Sequence, residues 1–178
     1  LHTDWDVLGQ NGRWGTANAS GYVSGGFPDA TQSREEVLMI SLYDRFHKKL
    51  HLWSLIPAEE TNPIFGMFPS LNFECFDSEK EMLKNFVMFF ANNRVDILSG
   101  WNSELFDIPF LVNRIKAVLG EEIVKYLSPW RQVKSRQIRN EDGSIDMTYD
   151  ISGVVHLDYL QAYKKFNPGS KESFKLDY

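Results

Sequence analysis

Apolar periodicity changes along this chain in an order that restricts the fold more than any single residue does. From Val37 to Tyr43 an apolar run has strand length, and Lys49 to Leu55 alternates polar and apolar residues as a half-buried strand does. The short link Asp44 to Lys48 makes these two an antiparallel hairpin. Beyond the Pro-containing stretch Pro57 to Pro69, Leu71 to Phe76 alternates again and reads as a third strand. The period then lengthens: Met82, Phe86, Phe89 and Phe90 recur at helical intervals behind Ser78 and Glu81, which have capping-box spacing. A short strand, Val95 to Gly100, precedes a second helix lined by Ile108, Leu111, Val112, Ile115, Val118 and Leu119, with Gly120 in the C-cap position. Strands in a run, then strands alternating with helices, predict an α/β domain with a mixed sheet and helices packed against it.

The later part of the chain adds another element. Val133 to Arg139 and Ile145 to Ile151 flank Asn140 to Ser144, whose turn residues predict a projecting β-hairpin with its tip near Asn140 to Gly143. Val154 to Leu157 is a last short strand, leading into a helix around Tyr159 to Phe166. The formal charge of -5 argues against a protein that coats nucleic acid in bulk. Yet Ile123 to Asn140 holds five cations (Lys125, Arg131, Lys134, Arg136, Arg139) and no acid, which leaves the remainder at -10. A basic segment on an acidic body suits an enzyme that holds metal ions and touches a polyanion; it equally suits a solvated arm with no partner. No apolar run approaches the roughly 20 residues of a membrane span, so no membrane partner is expected. The amino end lacks a signal-peptide pattern, and the single cysteine, Cys75, can complete neither an internal disulfide nor a Cys-based zinc site. A reducing, intracellular setting is expected. Residues 1–26 hold six of the twelve glycines and no sustained period, and are expected to be loop-like or poorly packed.

The segment Ser99 to Phe110 carries the chemistry-bearing pattern: a buried strand runs straight into a polar turn and then a helix. Asp107 next to the helix start, with Pro109 just inside, can be an ordinary N-terminal cap. Alternatively, Asn102 and Asp107 project from the strand edge and helix start into a cleft, where a carboxylate can hold a divalent metal.

Gly100-Trp-Asn-Ser-Glu-Leu-Phe-Asp-Ile-Pro109 resembles the second exonuclease motif of family B DNA polymerases, in which Asn is followed a few residues later by Phe-Asp. Further stretches resemble the proofreading exonuclease domain of replicative polymerases from T-even-like bacteriophages: Gly26-Phe-Pro-Asp29, Phe76-Asp-Ser-Glu-Lys-Glu81, Asn113-Arg-Ile115, Leu127-Ser-Pro129 and Leu157 to Phe166. The resemblance covers about residues 25 to 178. It implies a ribonuclease H-like fold and removal of the 3'-terminal nucleotide by a metal-bound water, with two ions, Mg2+ or Mn2+, held by carboxylates from three motifs. By the same resemblance, Asp107 is the catalytic metal ligand of the second motif, and Trp101, Asn102 and Phe106 line the cleft around the terminal nucleotide. Phe27 resembles an aromatic that stacks on a frayed primer base, a contact any base can make; the other reading is a loop phenylalanine tucked into the core. The hairpin cations Lys134, Arg136 and Arg139 are expected to meet DNA phosphates, in an arm that helps separate primer from template. The implied partners are single-stranded DNA or a primer 3' end and the remainder of a polymerase chain, in the cytoplasm of a phage-infected host.

Elsewhere the sequence departs from the pattern. Counting back from Gly26, the two acids of the first motif fall on Asn18 and Ser20, and the nearest Asp-x-acid is Asp4-Trp5-Asp6. The third motif, an Asp four residues after a Tyr, would follow Leu176-Asp177-Tyr178. Asp158 is read as a helix-start cap, because Val154 stands four residues before it. The expectation is a partial exonuclease domain over 26–178, behind a divergent Gly-rich segment over 1–25, from a longer polymerase. A nuclease-dead DNA-binding module that keeps the fold is the second reading, and an α/β domain with only structural likeness is the third.

Overall fold

In the computed structural model the described residues are 29–57, 70–139, 143–167 and 174, together with the backbone of 17–18 and 21–22. Two minimal strands, β1 (Ala17–Asn18) and β2 (Gly21–Tyr22), pair antiparallel within the segment expected to be loop-like. The expected hairpin forms from β3 (Met39–Asp44) and β4 (Lys49–Ser54), in register from Met39 opposite Ser54 to Asp44 opposite Lys49. Asp44 builds the connection: its Oδ1 accepts from the backbone N–H of Phe46 and of His47, a side-chain mimic of a backbone turn. The third strand, β5 (Leu71–Cys75), lies parallel to β4 on its other side, which makes the sheet mixed.

Helix α1 (Glu79–Asn92) starts at Ser78, whose hydroxyl accepts from Glu81 N at 3.3 Å. Its buried Met82, Leu83, Phe86 and Phe90 share one core with Ile40 and Trp53 of the sheet and with Ile108, Leu111, Val112 and Ile115 of α2 (Asp107–Leu119). Trp53 is buried without leaving its N–H unpaired, since Nε1 donates to Asn85 Oδ1 at 2.8 Å. Gly120, at φ 95°, ends α2 in a left-handed conformation that a side chain would resist. There follow α3 (Glu121–Val124), a 3-10 turn (Lys125–Leu127), the hairpin β7 (Val133–Arg139) with β8 (Ile145–Ile151), and α4 (Tyr159–Phe166).

One expected feature differs. The strands are not hydrogen-bonded into a single sheet among the described residues: β6 (Ile97–Gly100) pairs only with β9 (Val155–Asp158), in parallel, and β7 and β8 pair only with each other. Side-chain packing joins the sheets, reinforced by a buried ion pair. Arg114 of α2 grips Glu79 of α1 with both prongs at 2.7 Å, and also donates to the carbonyls of Ser33 and Arg34. Glu79 in turn accepts from Val37 N at 2.8 Å. Two helices and the lead-in to β3 therefore meet on one carboxylate.

Candidate functional site

Because β6 and β9 run in the same direction, from Ile97 opposite Val155 to Gly100 opposite Asp158, their carboxyl ends reach the same edge. In parallel α/β arrangements that edge is where ligands bind. From Gly100 the chain enters the turn 101–106 and then α2; from Asp158 it enters α4. Asp158 ties these two exits together. Its Oδ1 accepts from Leu160 N and Gln161 N, the expected N-cap, and also from Asn102 N at 3.2 Å, while Oδ2 accepts from Glu104 N at 2.8 Å. At 5% exposure, with four backbone donors, this carboxylate is a fixture of the turn.

That anchoring accompanies a left-handed Asn102, φ 57°, a conformation asparagine tolerates better than most residues. The Asn102 carbonyl accepts from Phe106 N, and the Ser103 carbonyl from Ile108 N, so the turn winds directly into the helix. Phe106 occupies the N-cap position, with no side-chain capping bond, and its ring stacks on Phe110. Asp107 is therefore the first helical residue and not the cap. It is 6% exposed, and a carboxylate there is favoured by the helix dipole. Nearby, His156 Nε2 and Ser103 Oγ are hydrogen-bonded at 2.9 Å. Burial pushes the His156 imidazole below its ordinary range, against the opposing pull of Glu104, Asp158 and Asp107. A cavity of about 310 Å3 opens between the turn and the hairpin; Glu104, Ile108, Arg136, Tyr149 and His156 are among its walls, and Asp107 is not.

The expected site residues are distributed unevenly around this edge. Trp101 turns inward, donating its indole N–H to the Phe174 carbonyl at 2.9 Å with its ring against Tyr163. The three hairpin cations differ in their surroundings. Alternation along β7 places Lys134 and Arg136 on one face and Arg139 on the other. Arg136 is also engaged within the protein: Nε donates to Asp150 Oδ1 at 2.8 Å and Nη2 to Glu104 Oε1. Two carboxylates around one guanidinium leave a net negative cluster, so Arg136 serves as an internal tether between hairpin and turn. Thr148, fully buried on β8, strengthens the tether by donating Oγ1 to the Glu104 carbonyl. Phe27, Asp4, Asp6, Ser20 and Asp177 lie outside the described residues, and of Asn18 only the backbone is described, paired with Gly21.

The donor set does not by itself fit two metal ions. Among the described residues no group of three or more His, Cys, Asp or Glu is arranged to hold one. The Asp158 oxygens accept from four N–H groups and Glu104 Oε1 from Arg136; Asp107 is the carboxylate that matches the second motif.

Residues 20–178 match the family model described as DNA polymerase family B, exonuclease domain. The chain belongs to this family. It is 32% identical over 172 residues to the DNA-directed DNA polymerase of Escherichia phage RB69, and 32% identical over 175 residues to that of Enterobacteria phage T4. The two alignments take in 86% and 85% of this chain but 19% of each relative. Likeness extends to the DNA polymerase catalytic subunit of Human herpesvirus 8 type P (isolate GK18), at 26% over 165 residues, covering 85% of this chain and 15% of that protein. The chain thus spans less than a fifth of the length of these relatives. The sequence motif locates the turn 101–107, Glu104 included, and cap chemistry marks Asp158; the long-range bonds that hold the turn, from Thr148 to the Glu104 carbonyl and from Asn102 and Glu104 to Asp158, have no local pattern.

Proposed function

We propose that this chain is the 3'-5' proofreading exonuclease portion of a DNA-directed DNA polymerase, with a ribonuclease H-like arrangement, and that the edge formed by residues 100–107 receives the 3' end of a single strand. One observation carries the reading: the motif that resembles the family's second exonuclease motif stands at the carboxyl ends of two parallel strands, anchored there by Asp158. In this reading Asp107 is a metal-binding carboxylate, Asn102 and Phe106 shape the pocket for the terminal nucleotide, and Phe27 stacks on a frayed base. The family implies a divalent ion, Mg2+ or Mn2+. Because the described residues supply one matching carboxylate, the remaining ligands come from other parts of the sequence or of the whole polymerase. The setting is the host cytoplasm; among the described residues no helix is long and apolar enough to cross a membrane.

The test is release of 3'-terminal nucleotides from labelled single-stranded DNA, beside Asp107→Ala. The 178 residues alone are expected to release little or nothing even with Mg2+ or Mn2+, since losing most of a ligand set raises the barrier by several kcal/mol and each ~1.4 kcal/mol is tenfold in rate. Metal-dependent release abolished by Asp107→Ala would mean that further ligands complete the site, with Asp4 and Asp6 the first to mutate. Metal-dependent release untouched by Asp107→Ala would remove Asp107 from the site. A second reading, a DNA-binding module without nuclease activity, is favoured by Asn18 and Ser20 standing where the two first-motif acids fall.

A further inference from the structure

The turn between the 3-10 helix and β7 presents an indole to solvent on a rigid mount. Ser128 Oγ donates to the Ser152 carbonyl at 2.6 Å and accepts from Trp130 N, while Arg131 N donates to the Ser128 carbonyl. The facing turn is pressed against it: a Cβ on Gly153, φ 87°, would lie 2.6 Å from Pro129 Cγ and 3.3 Å from Trp130 Cε2. Arg131 takes φ 56°, a left-handed conformation unfavourable for a side chain of its size. Fixed and strained positions of this kind gather at functional places.

What the mount displays is specific. Trp130 is 70% exposed, although a tryptophan ordinarily buries most of its large surface. The Arg131 guanidinium lies 4.1 Å over the Tyr126 ring, and no carboxylate among the described residues forms an ion pair with it. Of the neighbouring cations, Lys125 is occupied by Glu122 and Arg136 by Glu104 and Asp150. A lone exposed apolar side chain is ordinary. An exposed indole on a hydrogen-bonded turn, next in sequence to an arginine that lies over a second aromatic, in a stretch without acids, has the chemistry of a base-stacking platform with a phosphate contact at its side.

We propose that Trp130 and Arg131 form a second contact for single-stranded DNA, separate from the strand-end site: the indole face stacks on an internal base and the guanidinium meets a neighbouring phosphate. This rests on the reading of the chain as a DNA-binding exonuclease domain. β9, roughly 10 Å long, links the two places, beginning two residues after Gly153 and ending at Asp158.

The experiment is fluorescence anisotropy with a labelled oligothymidylate, linear or circular, titrated with the 178-residue chain across a range of salt. Trp130→Ala should weaken binding of both forms roughly 5- to 150-fold, the range for one lost base stack, while Trp130→Phe keeps most of the affinity. Arg131→Gln should reduce the salt slope by about one phosphate. Unchanged urea midpoints would show that the variants fold. If wild type prefers linear strands and Trp130→Ala binds them with unaltered affinity and salt slope, the platform is overturned while the strand-end reading stands, and Trp130 then belongs to an interface with another segment of a polymerase. If wild type shows no preference for ends yet Trp130→Ala still weakens binding, the platform stands and the strand-end reading fails. No binding by wild type overturns both.

Discussion

Glu104 of the motif turn and Arg136 of the hairpin form an ion pair that joins two parts of the chain 32 positions apart. The Glu104 carbonyl accepts from Thr148 and its N–H donates to Asp158, so one residue links the turn, the hairpin and the start of α4. The Arg136 side chain is 41% exposed and that of Glu104 22%, which limits the contribution of the pair. A double-mutant cycle of Glu104→Gln and Arg136→Gln in urea denaturation should give a coupling of about 0.5–1 kcal/mol at low salt, shrinking as salt is added. No coupling at low salt would mean that this ion pair adds nothing to the join, which the bond from Thr148 to the Glu104 carbonyl then carries.

Asp158→Ala should be more damaging. It removes an N-cap, worth roughly 1 kcal/mol, and leaves the part-buried N–H groups of Asn102 and Glu104 without an acceptor, at about 1 kcal/mol each, the low end for an unsatisfied group. A loss of about 3 kcal/mol is expected by urea denaturation, with Asp158→Asn intermediate because one acceptor oxygen remains. A fully stable Asp158→Ala would show that the turn does not depend on this carboxylate.

For the Glu79 and Arg114 pair, removal of one partner strands a buried charge. Glu79→Ala or Arg114→Ala should each lower stability by about 3–5 kcal/mol, whereas replacing both with apolar residues of similar volume should recover much of that. Thermal or urea unfolding of the three variants checks the order.

These residues also mark the limit of what the sequence discloses. Elements with strong local signals are where the sequence places them: the Asp44 to Lys48 connection, the Ser78 cap, the Gly120 stop and the 133–139 and 145–151 strands. Each is fixed by residues near one another in the chain, within 18 positions at most. Asp158 shows the boundary, since its bonds to Leu160 and Gln161 follow from helix-cap chemistry while those to Asn102 and Glu104 span more than 50 positions. Arg136 illustrates the same boundary with charge: counting cations along a segment ignores both strand alternation and acids brought in from elsewhere, here Glu104 and Asp150. The motif locates Asp107, but its neighbours across the fold are not written near it.

Acid should destabilise the protein through its buried imidazoles. Burial, and for His51 also Lys49, lowers the pKa of His51 and His156 below the ordinary value near 6.5. The unfolded chain then binds more protons than the folded one once pH drops below about 6.5, so stability is whole above that value and falls as pH decreases toward the folded pKa values. Urea midpoints measured from pH 8 to 5.5, above the ordinary carboxylate range, should decline, and His51→Phe with His156→Gln should flatten the curve. A midpoint independent of pH in the native chain would contradict the burial account.

The central claim is that the edge built by Gly100 to Asp107 receives a strand end. It is tested most directly by NMR titration of the amide-labelled chain with a linear oligothymidylate and with a circular one of equal length, which has no 3' end. The account predicts shifts at residues 100–107 with the linear strand, absent with the circular one and diminished in Asp107→Ala. Equal perturbation of these amides by both forms, or none by either while other surfaces respond, would contradict it.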